Sequence, residues 1–138
     1  MGAEMDRFFS NSANMQILAV TPLEEMALAE TVEMTQSLAR EFQLRCSALI
    51  LNLVSPLVTA AESELTELNV DSETSPALRF AIERGMLERE RSIEIGRKIR
   101  APQVCVPRIR EWNGDLDLLG KVSQWLELPE TPLAAKRA

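Results

Sequence analysis

The sequence predicts an α/β domain: three layers, with a parallel sheet of about three strands between flanking helices. Three observations carry that prediction. Three short apolar runs, at 16–21, 47–54 and 103–106, have the length of strands. Segments of helical length and periodicity separate them, so the connections read as right-handed crossovers between parallel strands. The middle run, SALILNLV, is almost wholly apolar, as expected of a strand buried on both faces.

Each element has a local justification. The first run, QILAVT, stops at Pro22, whose missing N–H ends a ladder and whose fixed φ can open a helix. Thr21 is expected to cap that helix, with Glu24 and Glu25 in the first turn, where carboxylates meet the positive end of the helix dipole. The helix reads to about Gln43. Leu28, Val32, Ala39 and Phe42 fall at helical spacing, joined by Leu23, Ala27, Met34 and Leu38. After the second strand, a loop at 55–75 brackets a short helix over 59–68. Pro76 then opens a long helix to Ile99 whose expected anchors are Leu78, Ile82, Met86, Ile93 and Ile99. Pro107 closes the third strand. A last helix at 115–126 sets Leu116, Leu119, Val122 and Leu126 on one face. The expected domain is 1–128, followed by a frayed tail at 129–138.

This order poses a geometric problem. If the strands lie side by side in chain order, right-handed crossovers put both connecting helices on the same face of the sheet. The opposite face would then show apolar side chains to water, each about 1.5–3 kcal/mol less favourable than when buried. Either the order is 2-1-3, with helices on both faces, or another chain supplies the missing layer. The pattern is that of half a doubly wound domain.

Composition narrows the function classes. At 46% hydrophobic and 26% charged, the 138 residues are unlike a disordered chain. No apolar run approaches the roughly 18–20 residues that span a bilayer, and 1–14 lacks the order of a secretory signal, so a cytoplasmic protein is expected. The chain contains no His, which rules out His-based triads, zinc–His clusters and a His general base. Cys46 and Cys105 form no metal-binding spacing, and their apolar neighbours point to buried, reduced thiols.

The formal charge of −6 hides an asymmetry. Residues 1–75 carry 12 acids against 3 bases, whereas 76–110 carry 9 bases against 4 acids. Glu83, Glu88, Glu90 and Glu94 interleave with the bases, as on a solvated or interface face with intrahelical pairs. No aromatic residue other than Phe80 accompanies this basic block, and with the acidic total this argues against nucleic acid as a partner.

The chain contains no phosphate-binding loop. Gly120-Lys121 is followed by Val122 inside an apolar-patterned helix, with Gly114 one place too far upstream, and no GxGxxG follows a strand. Acid pairs such as Asp115 and Asp117 stand where carboxylates stabilise helix starts. A receiver-type phospho-acceptor is disfavoured, because neither of the first two strands ends in Asp. Asn52 stands apart. A polar amide near the carboxyl end of an apolar strand needs partners, either neighbouring loop backbone or the edge of a ligand bound beyond the strand ends.

Four motifs then fall in one order: AVTPLEEMALAET (19–31), ALILNLVSP (48–56), APQVCVP (101–107) and E-x-x-G at Glu111 and Gly114, before a Leu-rich closing helix. Together they resemble the C-terminal half of the ArsA / Get-type ATPases, the arsenite-pump and tail-anchored-protein-targeting branch of the P-loop NTPases. The resemblance covers about residues 6–128. It implies that Asn52 recognises adenine, that the backbone at Val106 and Pro107 lies against the base, and that Glu111 and Gly114 belong to the following loop. The implied cofactor is ATP or ADP, held on its adenine side only; magnesium would require the P-loop half, which is absent from this sequence together with the family's switch regions and CxxC motif. The implied partner is a second copy or a P-loop-bearing chain, with peripheral association with a membrane complex. The chain alone is expected to hydrolyse no ATP. The alternative is a non-catalytic interaction module whose basic helix, 76–100, docks an acidic partner.

Overall fold

A computed structural model of the chain describes Met5, Arg7, Phe8, Asn11 and residues 15–66, 74–110 and 114–126. The expected tail at 129–138 lies outside these residues. The elements run β1 (Ile17–Pro22), α1 (Glu25–Glu41), β2 (Cys46–Val54), a 3-10 turn (Pro56–Val58), α2 (Glu62–Thr66), α3 (Pro76–Lys98), β3 (Gln103–Pro107) and α4 (Asp115–Trp125). The three strands form one parallel sheet in the order β1-β2-β3. The 2-1-3 order is therefore not adopted, and α1 and α3 share a face, as two crossovers of the same hand require.

On that face, Ala19 of β1 and Leu49, Leu51 and Val54 of β2 pack with Leu23, Val58, Ile95 and Ile99, flanked by Leu28 and Val32 of α1. Alternate residues point the other way. Val104 and Val106 are buried there, on the strand against which α4 packs. Leu18 and Val20 of β1, on the same side, are 52% and 60% exposed. The three layers are thus complete over β3 and open over β1.

Several local expectations change. Thr21 does not cap α1. It pairs with Leu51 in the ladder, and its hydroxyl donates to the carbonyl of Pro22 at 3.1 Å, while α1 begins at Glu25 with Glu24 at the cap position. The buried positions of α1 are Thr31 and Thr35, whose hydroxyls return to the carbonyls of Ala27 (2.7 Å) and Thr31 (2.9 Å). That bond satisfies the hydroxyl inside the helix, so threonine can occupy a core-facing position. Met34 and Phe42, read as core, are exposed.

The inward side of α3 is likewise not its apolar stripe. Gly85, Glu88, Ser92 and Ile95 are buried and Ile99 follows them, whereas Leu78, Met86 and Ile93 are exposed and Ile82 is half-buried. The reason is close approach. A Cβ on Gly85 would stand 2.6 Å from Leu57 Cδ1 and 2.8 Å from Ser55 Oγ, so a larger residue there would have to displace these side chains for α3 to press on the turn after β2. In α4, Leu118 and Val122 are half-buried, while Leu116, Leu119 and Leu126 are exposed. The two cysteines are free and half-buried rather than fully buried. Of the short helix expected at 59–68, the structure describes α2 at Glu62–Thr66, after a 3-10 turn at Pro56–Val58; residues 67–73 lie outside the described residues.

Candidate functional site

The carboxyl ends of all three strands lie at one edge of the sheet, where open α/β folds place ligands. Asn52 and Val106 are directly paired across β2 and β3 there, and Val54 pairs with Pro107. Asn52 is half-buried and Val106 buried, both on the face away from α1 and α3. No side-chain hydrogen bond joins Asn52 to the described residues. Between Asn52 and Val54 the register slips, and Leu53 takes φ of 59°, a left-handed conformation that side chains other than glycine rarely adopt. The bulge leaves Asn52 as the last residue of β2 in regular register.

Gly114 precedes α4 with φ of 85°, a conformation suited to glycine. Glu111 lies outside the described residues; of the other four sequence-derived positions, Asn52, Val106 and Pro107 stand at this edge, and Gly114 opens α4. Asp115 and Asp117 stand in the first turn of α4, with Asp117 Oδ2 3.0 Å from Lys121 Nζ. That arrangement serves the helix rather than a metal ion. Among the described residues, no three His, Cys, Asp or Glu side chains cluster as a metal site.

On the helix-covered side of the same edge, α3 grips the turn after β2. Glu88 is only 6% exposed; its Oε2 accepts from the backbone N–H of Ser55 at 2.7 Å, and its Oε1 accepts from Arg84 Nε at 3.1 Å. Arg89 Nη1 reaches three carbonyls of that turn, Leu57 (3.3 Å), Val58 (3.2 Å) and Ala60 (2.8 Å). Arg91 donates to the Leu23 carbonyl at 3.0 Å and lies 3.6 Å from Glu25 Oε2. Sequence reasoning read these bases as an outward face. Two of them, Arg89 and Arg91, instead tie α3 to the loops beyond β2 and β1, which interleaved charges alone could not reveal. Farther along α3, Lys98 pairs with Glu94 at 2.6 Å in the open, and the Lys98 ammonium holds the Glu94 carboxyl below its usual range.

Beyond the strand ends lies a cavity of about 440 Å³ lined by Ser55, Phe80, Arg84, Glu88, Arg108 and Arg110, among others. Arg108 also extends the sheet, its N–H donating to the Val54 carbonyl at 3.1 Å. Sequence reasoning did not single out this cavity, although Arg108 and Arg110, two apart after a strand, were its available signal.

No family model matches the chain, and no curated protein matches it. Among the described residues, no helix is long and apolar enough to cross a membrane.

Proposed function

We propose that the chain is the adenine-side portion of an ArsA / Get-type ATPase fold, binding ATP or ADP through the base and relying on a second copy or a P-loop-bearing chain for phosphate and magnesium. One observation carries this reading: Asn52, a half-buried amide without a side-chain partner among the described residues, is paired with Val106 at the carboxyl edge of a parallel sheet. An amide offers a donor and an acceptor side by side, as the edge of adenine does. No side-chain N or O among the described residues is both buried and unpaired, so the Asn52 amide reaches solvent and is open to a bound base. Pro107 continues the edge beside it, and Gly114 leaves the entrance to α4 without a side chain. The open face over β1 supports association, because the third layer is incomplete there. Peripheral attachment to a membrane complex and a cytoplasmic location belong to the same proposal.

The basic-helix alternative is less well supported, since Arg84, Arg89 and Arg91 already bond within the chain. Titration of the purified chain with adenosine, ADP and ATP, followed by amide chemical shifts, tests the proposal. The expected outcome is a response at Asn52, Val106 and Gly114 to all three ligands, lost in Asn52→Ala. A chain blind to all three, or a variant that binds as before, overturns it. The isolated chain is further expected to release no phosphate from ATP above the buffer rate.

A further inference from the structure

We propose that the cavity beyond β2 and β3 is a separate anion site that takes a small organic phosphate, with its apolar part against Phe80. The inference rests on the charge and geometry of the cavity and does not depend on the adenine reading. Three guanidinium groups and one carboxylate line it, a local positive excess in a chain of net charge −6. The carboxylate is already committed: Glu88 holds the Ser55 N–H and Arg84 Nε. That pairing fixes Arg84 while leaving its two terminal nitrogens for a ligand. Arg108 and Arg110 have no side-chain partner among the described residues. They sit two apart in the segment after β3, and both line the cavity.

Phosphate fits this set better than carboxylate does. A phosphomonoester carries about −1.5 to −2 charges at neutral pH and three acceptor oxygens, which three arginine forks can meet together. A carboxylate brings one charge and two oxygens, fewer than the three guanidinium groups can meet. Phe80, 65% exposed on the rim, supplies an apolar wall that inorganic phosphate would leave unused. The whole lies at the carboxyl edge of the sheet, on the side opposite Asn52.

The test is a titration of the full chain at low ionic strength with inorganic phosphate, phenyl phosphate and benzoate, read by amide shifts and calorimetry. Phenyl phosphate is expected to bind at least about tenfold tighter than either of the other two. Shifts should centre on Ser55, Ala81, Gly85 and Arg108. The double variant Arg108→Gln/Arg110→Gln should weaken binding at least about tenfold with an unchanged circular dichroism spectrum. Arg97→Gln, a change outside the cavity, should bind as the parent does, and so should Asn52→Ala, which separates this site from the base site. Benzoate binding as well as phenyl phosphate would overturn the phosphate assignment. No shifts, or equal weakening by Arg97→Gln, would overturn the site itself.

Discussion

The two faces of the sheet are made from the same strands, yet they have different fates. Along β1, Ala19 is 1% exposed towards α1 and α3, while its neighbours Leu18 and Val20 are more than half exposed on the other side. The exposed Leu18 and Val20 carry larger apolar side chains than the buried Ala19, so hydrophobicity does not explain the difference. Topology does: two crossovers of one hand cover one face, and α4, arriving after β3, reaches only the far end of the other. An apolar strand residue in such a sheet records which helix returns over it, and its own sequence cannot say.

That contrast can be broken most sharply at Leu49, which is fully buried under the helices. Leu49→Ala should lower the unfolding free energy by about 2–5 kcal/mol in urea melts, whereas Leu18→Ser should change it by about 0.5 kcal/mol or less. Equal losses would mean that the open face is covered in solution. Glu88→Ala should come next, at about 1–3 kcal/mol, because it strands the half-buried Ser55 N–H and leaves Arg84 unpaired. Glu88→Gln, which keeps an acceptor for the N–H, should recover part of that loss.

A smaller effect concerns the thiols. Burial pushes the Cys105 thiol above its ordinary range. Below that range both states hold the proton; as pH rises through it, the unfolded chain ionises first, so stability should fall with increasing pH. Cys105→Ser should flatten that alkaline decline, measured by urea melts between neutral and mildly alkaline pH. The smallest effect on folding should come from Val20→Lys. It should leave the melt of a dilute sample nearly unchanged, yet shift a concentration-dependent sedimentation profile towards monomer if the open face is where copies meet. A profile already monomeric in the parent would remove that role from the open face.

Much of this was legible in the sequence. Three apolar runs separated by helical periods define the parallel α/β class, and the carboxyl-edge placement of Asn52, Val106 and Pro107 follows once the strands are known. What could not be read were the helix faces. On α3 the stripe Leu78, Met86 and Ile93 has the stronger apolar signal, yet the helix turns Gly85, Glu88 and Ser92 inward. Periodicity ranks side chains by transfer from water, but the choice here is made by the close approach of Leu57 and Ser55 to Gly85 and by a carboxylate that satisfies a distant N–H. Thr31 and Thr35 were invisible for a related reason, since their hydroxyls are satisfied by their own helix. The arginine cavity needs three segments together, and no local pattern shows that.

The grip of Arg89 on the carbonyls of Leu57, Val58 and Ala60 spans about thirty residues of chain. The turn at 56–58 therefore has a tether that exists only once α3 has docked. Its amides should exchange with solvent as a unit with the middle of that helix. In refolding, their protection should appear late, in step with α3 rather than with the strand that immediately precedes them.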